Sequence, residues 1–187
     1  MTDKLYIPIL LGTTREGRYS EHVAEMIIDH AKDRDGLILE LFDVREFSFP
    51  LDDEGQGIKE QNAKWRDAVV NADGLIVVAP EYNHGYPGSL KMALDTLLKE
   101  YIHKPVALCG VSAGGFGGAR VIEQLIGVVR ELGLVATFRD LNVSHVQKMF
   151  NEAGELQDES VLERVDGMLD ELEWMSKVLK WGRGNLK

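Results

Sequence analysis

The sequence predicts an α/β protein built on a five-stranded parallel sheet with helices on both faces. Two observations carry this. Short apolar runs alternate with amphipathic stretches five times along the chain, and parallel strands need such crossovers. One run, Leu75 to Ala79 (Leu-Ile-Val-Val-Ala), is apolar at every position, as a strand covered on both faces must be.

Leu5 to Leu11 is the first strand and ends at Gly12. From Glu21 to Lys32, Val23, Ala24, Ile27, Ile28 and Ala31 recur at helical spacing. Leu37 to Phe42 reads as the second strand, and Gln61 to Val70, with a start as early as Ile58, as a helix. Leu75 to Ala79 is followed by a helix over Leu90 to Leu98, and Pro105 to Cys109 by a helix over Arg120 to Leu132. Val135 to Val143 is the fifth strand, with Ala136, Phe138 and Leu141 apolar. Ser160 to Lys180 closes the chain as a long helix. Val161, Val165, Met168, Leu172, Met175 and Leu179 share one face of it, read as packing on the sheet.

Five such strands suit the flavodoxin-like three-layer sandwich, with sheet order 2-1-3-4-5. No repeat or linker interrupts the chain, and residues 1–187 read as one domain. Asn151 to Asp158 is the most loop-like stretch. Pro8 is awkward in a central strand, because it removes a ladder donor. Either its neighbour does not extend that far or the pairing there is irregular.

Composition narrows the partners. The 187 residues are 44% hydrophobic and 28% charged, ordinary globular values. Against 31 acidic residues there are 21 basic ones, a net charge of −10, which argues against nucleic acid or an anionic membrane as main partner. The lone Cys109 closes no intrachain disulfide, and no Cys/His cluster is spaced for zinc. The start, Met-Thr-Asp-Lys, lacks the pattern of a signal peptide, and no apolar run approaches a membrane span; a soluble cytoplasmic protein is expected.

Ligands of an open parallel sheet bind at the carboxyl ends of its strands. Gly12 to Ser20 (Gly-Thr-Thr-Arg-Glu-Gly-Arg-Tyr-Ser) leads into a helix, whose free N–H groups favour a phosphate. Arg15 and Arg18 make this loop a local positive spot. It is not a P-loop, because Arg18-Tyr19 replaces the Lys-Ser/Thr that mechanism needs. Pro80 to Gly88 (Pro-Glu-Tyr-Asn-His-Gly-Tyr-Pro-Gly) is a stiff loop in which Tyr82 offers a flat face. Gly110 to Gly118 holds five glycines in nine residues, read as room for a ligand against the main chain. The same stretch matches Gly-x-Ser-x-Gly at Ser112, with Asp140 and His145 following in the order of a serine hydrolase. That reading leaves the other two loops without a role. Asp43, at the end of the second strand, is read as a turn residue.

Three segments together resemble the NADPH-dependent FMN reductase family of the flavodoxin-like superfamily. They are Gly12-Thr13-Thr14-Arg15-Glu16-Gly17; Pro80-Glu81-Tyr82-Asn83 with Pro87-Gly88-Ser89-Leu90-Lys91-Met92-Ala93-Leu94-Asp95; and Gly117-Gly118-Ala119-Arg120. The resemblance covers roughly residues 5–142. It implies bound FMN, with Thr13, Arg15, Arg18, Tyr19 and Ser20 around the phosphate. Pro80, Glu81, Tyr82 and Asn83 would line the isoalloxazine, with Ser112, Gly114 and Gly115 against its other side. Thr13 and Arg18 stand where many members have serine, and Met92 where they have asparagine. The resemblance further implies NADPH or NADH as co-substrate, a small acceptor such as a quinone, azo compound, metal oxyanion or free flavin, and a homodimer or homotetramer. No catalytic side chain is needed, since FMN carries the hydride. A flavodoxin-like electron carrier without NAD(P)H activity is the alternative.

Overall fold

The computed structural model describes residues 4–49, 57–151 and 153–186. The elements run β1 (Leu5–Leu11), α1 (Tyr19–Ala31), β2 (Leu37–Asp43), α2 (Ile58–Gln61), α3 (Ala63–Asn71), β3 (Leu75–Pro80) and α4 (Gly88–Asp95). Then come β4 (Pro105–Val111), α5 (Ala119–Glu131), β5 (Val135–Ala136), β6 (Leu141–Val143) and α6 (Ser160–Asn185). All ladders are parallel, and the order is β2-β1-β3-β4-β5, with β6 also paired to β4. This is the flavodoxin-like arrangement expected from the alternation.

Period-two alternation sorts the strand side chains into two cores. Ile7, Ile9 and Leu11 of β1, Ile76 and Val78 of β3, and Cys109 of β4 pack under α1 and α6. Leu10, Leu75, Val77 and Leu108 pack under α3, α4 and α5 on the opposite face. Each such fully buried aliphatic side chain contributes about 1.5–3 kcal/mol, so the register is strongly specified. On α6 the buried face runs Val161, Val165, Met168, Leu169, Leu172, Ser176. Met175 and Leu179 are only half-buried. Gly74 explains the small residue at 176: a Cβ there would lie 2.5 Å from Ser176 Oγ.

Two expected elements are broken. The helix predicted over 61–70 is interrupted at Asn62, whose side-chain amide donates to the Ser48 and Ile58 carbonyls and whose Oδ1 accepts from Ser48 N–H. A residue tied to its own backbone in this way competes with helix continuation. The fifth strand is split. Ala136 pairs Val106 and Leu141 pairs Cys109, so four residues (137–140) stand opposite two (107–108). The excess leaves the sheet, and Phe138, expected to be an apolar residue of this strand, is 88% exposed. Pro8 pairs with Glu40 of β2, while the ladder to β3 begins only at Ile9 opposite Ile76. Its missing donor therefore falls before that ladder starts. Cys109 is buried, and burial pushes its thiol pKa well up, which keeps it unreactive. Among the described residues no helix is long and apolar enough to cross a membrane.

Candidate active site

A cavity of about 190 Å³ opens at the carboxyl ends of β1, β3 and β4. Arg15 to Ser20 form one wall, Pro80 to Tyr82 the second, and Val111 to Ala113 the third, with Val146 closing the rim. The loops are stitched together first by the sheet. Gly12 N–H donates to the Val78 carbonyl at 2.9 Å, and Glu81 N–H to the Val111 carbonyl at 2.8 Å. Side chains add two ties: Thr13 Oγ1 and Tyr82 Oη are 2.9 Å apart, and Ser89 Oγ donates to the Gly12 carbonyl at 3.2 Å. Gly12 has no room for a side chain, because a Cβ would lie 2.9 Å from Leu90 Cδ2.

Within the first loop the two arginines have different fates. The Arg18 side chain is 1% exposed. It forks onto both carboxylate oxygens of Asp43, reaches the Thr13 carbonyl, and holds Glu21 through Nε at 3.3 Å. Its charge is thereby engaged inside the protein, so that of the two arginines expected to make this loop a positive spot only Arg15 is exposed. Asp43 is no mere turn residue. Burial alone would raise its carboxyl pKa, but the Arg18 guanidinium and the Arg45 N–H outweigh that and hold it below the ordinary carboxylate value. Arg45 adds hydrogen bonds to the Thr14 and Arg15 carbonyls. Asp43 and Arg45 were thus missed as organisers of the loop. Their one visible signal is a pair of charges immediately after a strand.

Arg15 is exposed at the mouth of the cavity, its guanidinium carbon 4.0 Å from the centre of the Tyr82 ring. Beside it begins α1, with no side-chain cap. Ser20 lies in its first turn, is 2% exposed, and borders the cavity; its Oγ is buried with no hydrogen-bond partner among the described residues. A buried hydroxyl without a partner is costly. Together with uncapped N–H groups and the positive end of the helix dipole, it fits an oxyanion.

The second loop is a type I′ turn. Tyr82 and Gly85 exchange both backbone hydrogen bonds, at 2.9 and 3.0 Å, while Asn83 (φ 49°) and His84 (φ 67°) are left-handed. Two non-glycine residues held at positive φ mark a backbone position fixed by its surroundings. Asn83 is not among the residues that line the cavity, and the Glu81 side chain is engaged elsewhere. It accepts from Arg120 Nε at 2.7 Å and Arg120 N–H at 3.2 Å, which clamps this turn to the start of α5. Arg120 also donates to His84 Nε2 at 2.8 Å.

In the third loop, three of the five glycines answer to packing rather than to a ligand. A Cβ on Gly118 (φ 75°) would lie 2.5 Å from the Gly110 carbonyl carbon, and one on Gly117 2.9 Å from Asn142 Cβ. The start of α5 crosses directly over the end of β4. Gly114 alone has open space, and Gly115 faces the His145 ring; neither lines the cavity. Ser112 does, with Oγ donating to the Gly114 carbonyl at 3.0 Å. It makes no hydrogen bond to His145, and Asp140 makes none to His145 either, so the hydrolase geometry is not met. Ser112→Ala, which removes only the hydrogen bond to the Gly114 carbonyl, is therefore expected to change the activity less than about threefold. A serine-reactive phosphonate should leave the wild type unlabelled, as mass spectrometry would read.

The sequence matches the model of the NADPH-dependent FMN reductase family over residues 5–148, which holds all three loops. The chain belongs to this family. Among its relatives are a Nectria protein named NAD(P)H-dependent FMN reductase, 35% identical over 131 residues, and a Bacillus NADPH azoreductase, 35% identical over 120 residues. Each alignment covers 64% of the relative, a little under two thirds. The Escherichia coli quinone reductase is 28% identical over 90% of this chain and 94% of its own length. Among solved structures, the Paracoccus denitrificans FerB flavoenzyme superposes with a TM-score of 0.78 over 91% of this chain and 98% of its own, at 22% identity. At that identity the likeness speaks for the shared fold. As a family member, this chain has its matched segments in one place, at the carboxyl edge of the sheet.

Proposed function

We propose that the protein is an FMN-dependent NAD(P)H oxidoreductase. The observation that carries this reading is the oxyanion pocket at the start of α1, with Arg15 over its mouth and the partnerless Ser20 hydroxyl bordering it, both in the loop from Gly12 to Ser20 within the family match. We assign the FMN phosphate to Arg15, Ser20 and the N–H groups of Tyr19 and Ser20. Thr13 and Arg18 hold the loop in shape from behind. We assign one side of the ring site to Pro80, Tyr82 and the main chain of Glu81 and Asn83, and the other to Ser112, with Gly114 and Gly115 beyond the edge of the cavity. FMN, when bound, supplies hydride acceptance from NAD(P)H and delivery to a small acceptor. The chain's part is to bind, orient and shield; a catalytic side chain is not required.

The relatives' names, FMN reductase, azoreductase and quinone reductase, support a quinone, azo compound or free flavin as acceptor. The test is NADPH consumption with a water-soluble quinone. Activity should rise with added FMN and saturate, and riboflavin should substitute poorly. Consumption independent of added flavin by flavin-free protein would reject the reading. A carrier of the flavodoxin type would show none without a separate reductase.

We place the protein in the cytoplasm, where NAD(P)H is available, as one domain that assembles into a homodimer or homotetramer. The shallow cavity supports assembly, since a second subunit would shield what one leaves open. Leu94, on α4, is fully buried in its own chain and does not serve as a contact. Leu98 and Ile102, just beyond α4, are 59% and 45% exposed. Leu98→Glu should lower the mass seen by light scattering and the activity together. Full activity at the 20.9 kDa monomer mass would end this part of the reading.

A further inference from the structure

A second cavity, of about 360 Å³, lies on the flank of α1 and shares no lining residue with the flavin cleft. Its back wall is one face of α1, where His22, Glu25, Met26, Asp29 and His30 recur at helical spacing. Its other walls are the segment after residue 149 and the first turn of α6. That segment contains Asn151 to Asp158, the stretch the sequence reads as most loop-like, yet the described residues there are tied to one another. Phe150 and Leu156 form an antiparallel bridge. Asn151 Oδ1 accepts from the N–H groups of Ala153 and Glu155 at 3.0 and 2.9 Å, and its amide donates to Glu155 Oε2 at 2.8 Å. Gly154 (φ 80°) presses on the His22 ring, where a Cβ would lie 2.9 Å from Cε1. The His22 ring in turn rests on Phe150, centroids 5.5 Å apart. Phe150 anchors the segment in the core beneath α1, and the His22 ring also meets the Tyr19 ring edge-on, centroids 6.2 Å apart.

The lining has two parts. The floor is apolar: Met26 and Phe150 are buried, and Leu156 and Leu162 pack half-buried against the same core. The rim is acidic: Glu25, Asp29 and Glu155 are exposed along it, and among the described residues no lysine or arginine lines the cavity. Asp29 does have the outlying Lys32 at 2.5 Å, and Glu25 the His22 ring at 3.4 Å. Both are surface pairs of little strength, so the rim carboxylates remain available to a cation. A floor that takes a flat hydrocarbon and a rim that takes positive charge together define one ligand chemistry.

We propose that this cavity binds a small organic cation: a planar apolar body seated on Met26, Phe150 and Leu156, with an ammonium or amidinium group held by Glu25 and Asp29. The proposal stands independently of the flavin reading. It is tested by calorimetric titration of the protein, in saturating FMN, with benzamidine and with its neutral counterpart benzamide. Benzamidine should bind about tenfold tighter than benzamide, as two or three weak ionic contacts would give. Glu25→Gln with Asp29→Asn, both exposed and harmless to the fold, should bring benzamidine down to the benzamide affinity and leave FMN binding unchanged. Equal affinity for the two probes, an unchanged affinity in the double variant, or no benzamidine binding at millimolar concentration would overturn the proposal.

Discussion

Asp43→Ala is expected to destabilise the protein by about 3 kcal/mol, the lower end of what removing one partner of a buried ion pair costs. The lower end applies because the Asp43 side chain keeps 18% of its exposure, while Arg18 keeps 1%. Without Asp43, Arg18 Nη2 loses its acceptor and Nη1 keeps only the Thr13 carbonyl, in a place water hardly reaches. FMN binding should weaken too, since Arg18 also holds the Thr13 carbonyl that shapes the phosphate loop. Denaturant unfolding and a flavin fluorescence titration read the two effects. Replacing the pair together, Arg18→Met with Asp43→Leu, should recover most of the stability and not the flavin affinity. Acid should act in the same direction. A carboxyl whose folded pKa lies below its unfolded one stabilises fully above the ordinary carboxylate value, and that contribution is lost as pH falls through the depressed value. The wild type should therefore lose stability relative to Asp43→Ala only at acid pH. A variant as stable as wild type at neutral pH would remove the buried pair from this account.

Arg15→Ala is expected to weaken FMN by about ten- to a hundredfold, the worth of a charge-assisted hydrogen bond to phosphate. Riboflavin, which lacks the phosphate, should change by less than about threefold, leaving only the contact of Arg15 with the Tyr82 ring. Arg15→Lys should fall between, since it keeps the charge and loses the planar fork. Equal weakening of FMN and riboflavin would take phosphate recognition away from this residue. Arg18→Ala would weaken both flavins by unfolding the loop, so selectivity between the two distinguishes a contact from a support.

The frame of the molecule was legible because it follows from local pattern. The β1, β3 and β4 runs are apolar at nearly every residue, and the spacing of Val23, Ala24, Ile27 and Ala31 leaves only a helix. The three loops were legible for the same reason: a strand that ends at Gly12, Pro80 or Val111 delivers its loop to one edge. What was not legible depends on contacts across the chain. Arg18 meets Asp43 25 residues away, so the charges within the loop do not by themselves show that one of its two arginines is already paired. Glycines carry no mark of why they are needed; Gly110, Gly117 and Gly118 make room for one backbone to cross another, a reason visible only once β4 and α5 are placed. The break at 137–140 was hidden because Phe138 keeps the alternation of a strand while leaving the sheet.

The central claim is that this chain itself passes electrons from NAD(P)H to bound FMN. The most direct measurement mixes the FMN-loaded protein with one equivalent of NADPH, or separately NADH, in the absence of oxygen, and follows the visible flavin absorbance. The account predicts that the yellow colour bleaches within the turnover time and returns when a quinone is added. A flavin that stays oxidised with both nucleotides, yet is reduced by dithionite, would contradict the account and leave an electron carrier in its place.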